Sequence, residues 1–349
     1  MKSAFDSIRI GSLTAKNRII RSATNDHLGN RDATISDAQI DMYEQLASHD
    51  VGTIITGHMS IVPDIAMRAD EVQPSIGDDS KIEGLSRIPA KIHEYGGLAV
   101  AQISHAGPRG MVPVDINTMD AAEFRQIEQW FVDAAVRAQR AGFDAVEVHA
   151  AHWYLLATML NSDLNKRADG YNGSDERRIA IVCRIVEAIR QACPGLAVFV
   201  KINAHNTLEG IDDTGMLVNY AKALYEAGID LLDVSGMSFT KQPRDAECYF
   251  LDSARAVKEA LPELNVALVG GIYSRATIDR ALKSVDMVAM GRTLLTQPDF
   301  VTRLKDGELE RSRCIRCNQC FKLFKTKFER CIFGPVNPKL RQTFGEEKS

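Results

Sequence analysis

Eight short apolar runs, each followed by a stretch of helical periodicity, constrain this chain more than any other feature. They are 18–22, 53–56, 98–103, 145–149, 198–202, 231–234, 266–269 and 287–290. Nearly continuous apolar character, without in–out alternation, belongs to parallel strands buried on both faces. Between two of them, Phe124, Ile127, Phe131, Ala134, Ala138 and Ala141 recur at spacings of three and four. That is one stripe of a helix, predicted over Glu123 to Ala141. Asp120 with Glu123 forms a capping pair at its start, and Gly142 supplies the stop. Ser36 with Gln39 opens an earlier helix the same way, and a helix from Thr214 to Ala227 ends at Gly228. Strand–helix units joined by right-handed crossovers give either an open doubly wound sheet or a closed barrel. Eight units favour an α/β fold of the (β/α)8 TIM barrel type. No G-x-G-x-x-G follows the first run, which weakens the open alternative. The predicted organisation is a barrel over residues 1–306 with a cysteine-rich tail over 307–349.

Composition excludes several other classes. With 45% hydrophobic and 25% charged residues in 349, the chain can bury a sizeable core and is not disordered. A net charge of −4 argues against a wholesale nucleic-acid binder. No apolar run reaches the ~18 residues of a membrane span. Met1 to Asp6 lacks the apolar region of a secretory signal, so the expected location is the cytoplasm. Four of the seven cysteines, Cys314, Cys317, Cys320 and Cys331, cluster beyond residue 313, a pattern of metal binding rather than of a disulfide framework.

In a barrel of this kind the site lies at the C-terminal ends of the strands, with phosphate often bound after the last two. Gly270 and Gly271 follow the seventh run; Gly291 and Arg292 follow the eighth. Glycine lets backbone N–H groups approach an anion, and arginine adds a forked donor. The pattern alone leaves open whether the phosphate belongs to a cofactor or to a phosphosugar substrate. Further polar groups sit at other strand ends: Thr24 and Asn25, Gln102 and His105, His149, His152 and Tyr154, Lys201, and Ser235. Converging donors suit an anionic or carbonyl-bearing ligand. A metal site at these histidines is disfavoured, because no carboxylate companion is evident.

The segments 17–24 (NRIIRSAT), 101–107 (AQISHAG), 142–156 (GFDAVEVHAAHWYLL) and 165–174 (NKRADGYNGS) resemble the old yellow enzyme family of FMN-dependent oxidoreductases. The likeness runs over residues 5–305. The resemblance implies an FMN cofactor and NAD(P)H as co-substrate. It implies that Ser22, Ala23, Thr24 and Gly57 line the flavin, that Gln102 bonds its pyrimidine edge, and that Lys201 lies near N1 and O2. A cation there stabilises the charge of reduced flavin. Gly270, Gly271, Gly291 and Arg292 would hold the FMN phosphate. His149 and His152 would donate to the substrate carbonyl, polarising a conjugated C=C for hydride delivery, and Tyr154 would protonate the α-carbon. Three positions depart from the family: Pro108 where arginine is common, Asn172 for glycine, and His205 for aspartate.

The tail reads C-x2-C-x2-C with Cys331 further on, a spacing suited to a [4Fe–4S] cluster. A four-cysteine zinc site or unmetallated thiols are the alternatives. It resembles the cluster segment of 2,4-dienoyl-CoA reductase and trimethylamine dehydrogenase, which continue into a nucleotide-binding half. The present sequence ends at Ser349, so that half is expected to be absent or supplied by another protein. Arg311, Arg313, Arg316, Lys322, Lys325, Lys327 and Arg330 make the tail basic. They form either a solvated surface or a dock for an acidic electron carrier. The expected activity is reduction of an activated C=C in a small molecule, an enone, enoate or enoyl thioester. Oxidative amine demethylation and reduction of tRNA uridine are the alternatives, and a homo-oligomer is compatible with the sequence.

Overall fold

The computed structural model describes residues 2–206, 213–237, 241–320 and 331. Eight parallel strands close on themselves: β1 (Ile19–Arg21), β2 (Thr53–Ile55), β3 (Leu98–Ser104), β4 (Ala145–Ala150), β5 (Ala197–Asn203), β6 (Leu231–Ser235), β7 (Asn265–Val269) and β8 (Met287–Met290). Each pairs with the next, and β8 returns to β1. All eight predicted runs are strands, within a residue or two at the ends, and the fold is a (β/α)8 barrel.

Ten α-helices lie among the described residues: α1 (Asp37–Ser48), α2 (Ile82–His93), α3 (Ala121–Arg140), α4 (Leu155–Leu160), α5 (Asp175–Ala192), α6 (Thr214–Ala227), α7 (Leu251–Ala260), α8 (Arg275–Leu282), α9 (Arg292–Thr296) and α10 (Phe300–Lys305). The capping signals act as read. The Asp120 carboxylate accepts from the N–H groups of Ala122 and Glu123, and the Glu123 side chain accepts from Asp120 N–H at 2.7 Å. Ser36 and Gln39 make the same reciprocal pair at α1. Gly142 (φ 92°) and Gly228 (φ 99°) take the left-handed backbone that glycine adopts without a Cβ penalty.

Two apolar layers result. One fills the space between strands and helices, with Phe124, Phe131, Ile185 and Leu224 buried in it. The other fills the barrel, where Ile20, Val100, Phe199 and Met287 meet. Ile8, Ile10 and Ala15 join this inner layer from a short antiparallel hairpin, Ile8–Ile10 with Leu13–Ala15, ahead of the first barrel strand. The hairpin therefore seals the N-terminal end and leaves the opposite end for ligands. Beyond α10 the chain folds back on β7's exit: Arg275 N–H donates to Glu310 O at 2.9 Å, and Ser312 N–H to Tyr273 O at 2.8 Å. No helix among the described residues is long and apolar enough to cross a membrane.

Candidate active site

A cavity of about 580 Å³ opens at the C-terminal ends of the strands. That lies within the usual size for a cofactor-sized ligand, ~300–1,000 Å³. Strand register explains which side chains meet there. Gln102 of β3 pairs with Glu147 of β4, while His149 of β4 pairs with Lys201 of β5, which pairs in turn with Asp233 of β6. Gln102 and Lys201 line the cavity. Each is held from below by a carboxylate absent from the sequence-based site. Gln102 Nε2 donates to Glu147 Oε1 at 2.6 Å, and the Lys201 ammonium bonds Asp233, with Ser22 Oγ 3.3 Å away. Glu147, Lys201 and Asp233 are all buried. Burial, the largest influence, pushes the Glu147 carboxyl up to about 8, although Lys201 pulls the other way.

Ser22, Ala23 and Thr24 line the wall beside β1. Arg21 steadies them, its guanidinium donating to Thr24 Oγ1 at 2.6 Å and to Gly291 O at 3.2 Å. Gly57 is not among the residues that line the cavity. A Cβ on it would stand 2.9 Å from Thr24 O, and its N–H donates to Tyr43 Oη at 3.0 Å. Its place is behind Thr24, where the close approach of two backbones leaves no room for a side chain.

His149, His152, Trp153 and Tyr154 form one side of the cavity. After β4 the chain turns through two left-handed residues, His152 (φ 59°) and Trp153 (φ 67°). Such backbone costs a non-glycine residue ~1–3 kcal/mol and clusters at functional sites. The turn brings His152 Nε2 within 2.8 Å of Ser235 Oγ, while its N–H donates to Asn203 Oδ1 at 3.2 Å. The His149 ring lies 5.2 Å from that of His152 and 4.9 Å from that of Tyr154. His149 Nδ1 is buried with no hydrogen-bond partner among the described residues, so a ligand is the natural source of one. Burial lowers His149 well below its ordinary value and His152 to about 3, so both rings are neutral near pH 7. Burial likewise raises Tyr154 to about 12, keeping its phenol protonated. His58, missed by the sequence reading, follows β2 and stands 3.2 Å from Tyr154 Oη through Nε2.

At the opposite end, Gly270 (φ 116°) and Gly271 (φ 69°) require glycine conformationally, and a Cβ on Gly271 would meet Cys248 N at 2.6 Å. Gly291 and Arg292 join them in the wall, with the Arg292 guanidinium bonded to Asn318 Oδ1 and, at 3.2 Å, to Tyr249 Oη. A cradle of backbone N–H groups and one guanidinium fits a phosphate. The whole wall therefore fits FMN, with anion-binding groups at one end, paired polar groups on the floor and donors at the other end.

Two of the three departures, Asn172 and His205, make side-chain contacts here. Arg109, one position beyond Pro108, lines the cavity near Tyr154. Asn172 Nδ2 donates to Asn165 O at 2.9 Å and to Arg167 O at 3.2 Å, locking the loop. His205 Nδ1 pairs with Asp213 Oδ1 at 3.0 Å. His105 is structural, since its Nδ1 accepts from Gly107 N–H at 3.0 Å and its ring stacks on Trp130.

The cavity wall continues into the tail through Cys314, Arg316 and Cys320. A second, small cavity is lined by Cys314, Cys317, Cys320 and Cys331 together with Arg292. All seven cysteines are free of disulfides. Among the described residues, no three metal-binding side chains already stand in coordinating positions.

The chain is 30% identical over 368 residues to an NADH oxidase of Thermoanaerobacter brockii, covering 95% of this chain and 56% of that protein. It is 28% identical over 391 residues to a 4,4'-dithiodibutanoate disulfide reductase of Rhodococcus erythropolis, covering 95% of this chain and 94% of that protein. The fold matches that of a 2-naphthoyl-CoA reductase in complex with 2-naphthoyl-CoA, with a TM-score of 0.87 at 21% identity over 95% of this chain and 57% of the other. The chain thus spans little more than half the length of the first and third. Residues 3–117 and 110–310 match the NADH:flavin oxidoreductase / NADH oxidase family. The protein belongs to that family, the flavin oxidoreductases of the old yellow enzyme type.

Proposed function

We propose that the protein is an FMN-dependent reductase of activated C=C bonds in a small enone, enoate or enoyl thioester. One observation carries this reading: a single cavity joins the Gly270, Gly271, Gly291 and Arg292 cradle to the His149, His152 and Tyr154 side across a floor of Gln102 and Lys201. When bound, FMN supplies hydride transfer, with NAD(P)H as the reductant. Ser22, Ala23 and Thr24 would flank it, and Gln102 and Lys201 would meet its polar edge. Lys201 provides the cation that favours the charged, reduced form. The neutral imidazoles of His149 and His152 donate N–H to the substrate carbonyl, drawing electron density away from the double bond. Tyr154 Oη gives its proton to the α-carbon. The fold likeness to a protein holding 2-naphthoyl-CoA is consistent with a thioester substrate. Turnover of enones, enoates and enoyl thioesters by the FMN-loaded protein with NADH or NADPH tests this. Tyr154→Phe is expected to slow C=C reduction ~10²-fold or more while leaving flavin reduction unchanged. Turnover of methylamines with no reduction of any alkene would instead favour the amine oxidation chemistry.

The same reading extends to the tail, where Cys314, Cys317, Cys320 and Cys331 would ligate a [4Fe–4S] cluster. They share one cavity, and Cys317 sits between two left-handed residues, Arg316 (φ 56°) and Asn318 (φ 59°). Such alternation gathers backbone N–H groups toward an anion. When bound, the cluster would supply one-electron transfer beside the flavin cavity. The basic residues Lys322, Lys325, Lys327 and Arg330, the expected dock for an acidic electron carrier, lie outside the described residues. Iron and acid-labile sulfide in protein purified without air support the cluster, whereas zinc or bare thiols contradict it.

A further inference from the structure

We infer that His58 is a positioning residue for Tyr154: its Nε2–H donates to the phenol oxygen, so the tyrosine's own proton is left for the substrate and the phenolate that remains is stabilised. The Gln73 amide fixes the His58 tautomer. Gln73 Oε1 accepts from Ala69 N–H at 2.6 Å, and Gln73 Nε2 donates to His58 O at 3.1 Å. These two bonds fix which end of the amide is which. The same Nε2 lies 2.7 Å from His58 Nδ1. An amide nitrogen only donates, so Nδ1 must be bare. Burial holds the His58 ring neutral, its value lowered to about 4. The one ring proton is therefore on Nε2, which stands 3.2 Å from Tyr154 Oη with the two rings 4.7 Å apart.

That arrangement has a chemical consequence. If Nε2 were bare, Tyr154 would donate to it and its proton would be directed away from the cavity. With Nε2–H as donor, the phenol oxygen accepts there, and its hydrogen is free to turn toward a ligand. The inference rests on the reading of Tyr154 as the proton donor to the α-carbon. FMN, when bound, would supply the hydride, and the Tyr154 proton would complete saturation of the C=C. The phenolate keeps its hydrogen bond from His58 and regains a proton from solvent; His58 gives up none. The other charged or titratable groups around the pair are His149, His152, Arg109, Asp70 and His27, and of these Arg109 also hydrogen-bonds the Tyr154 phenol. None of them supplies the fixed-tautomer contact that Gln73 imposes on His58.

The test uses the full, FMN-loaded protein. In [15N]histidine spectra, the resonances lost in His58→Gln are expected to show an unprotonated Nδ1 and a protonated Nε2. With 3-fluorotyrosine placed at position 154, 19F shifts report the phenol titration directly. His58→Leu should raise that titration by about one to two units, the effect of one hydrogen bond to a charged oxygen. His58→Gln, whose amide N–H can stand in for Nε2–H, should titrate close to the unsubstituted protein. A protonated Nδ1, an unchanged titration in His58→Leu, or an equal shift in both variants overturns the proposal. Full turnover by Tyr154→Phe would remove Tyr154 from the chemistry and is read separately from the titration.

Discussion

Beneath the cavity floor, Gln102 and Lys201 are each tethered by a buried carboxylate, Glu147 and Asp233. Both sit inside otherwise apolar strand runs, and a charge in such a run was the available signal. Its meaning depends on register: Glu147 faces Gln102, and Asp233 faces Lys201, only once the neighbouring strands are aligned. The register between strands far apart in sequence is not written in either run. Glu147 also carries a pH prediction. With its value raised from 4.5 to about 8 by burial, the native protein binds a proton across that interval that the unfolded chain does not. Its contribution is therefore complete below 4.5 and is lost as pH rises to about 8. Denaturant titrations from pH 5 to 8.5 should show stability falling with pH through this group, and Glu147→Gln should flatten that component. His58 and His152 act with the opposite sign. Lowered to about 4 and about 3, they favour the native state above 6.5 and withdraw that support as pH falls.

At the level of elements, periodicity and caps were the most legible signals. The stripe of α3 and the Asp120–Glu123 box predicted its start to within two residues. Asp120→Ala removes acceptors from two N–H groups and should cost ~1 kcal/mol, measured by urea unfolding. A cost near zero would mean that water or Glu123 replaces the cap. The hairpin at Ile8–Ala15 was not legible, because three-residue strands carry too few side chains to show a period. The segment from Ile61 to Asp78 was equally silent, yet it delivers Gln73 to His58 and Asp70 to Asn25 at 2.8 Å. Its one short 3-10 turn, Ile65–Met67, is too brief to show a period, and its side-chain partners are met only in the folded barrel.

Across the whole molecule, the two ends of the barrel divide the work. Inner side chains near the strand starts are apolar and packed with the hairpin, while those at the strand exits are polar and open to the cavity. Phe199 is fully buried in the inner layer that the hairpin residues join. Phe199→Ala should cost ~3–5 kcal/mol of stability in denaturant titrations, from lost burial and the void left behind. A loss below ~1 kcal/mol would show that the interior collapses to fill the space.

If this open end holds FMN by its phosphate, FMN and riboflavin must differ sharply in affinity. Calorimetry on flavin-free protein should show FMN bound far more tightly than riboflavin. Arg292→Ala should weaken FMN ~10–100-fold, the worth of a charged hydrogen bond, and leave riboflavin unchanged. Failure to bind FMN, or equal affinity for the two flavins in the unsubstituted protein, would rule out phosphate-anchored FMN at this end of the barrel.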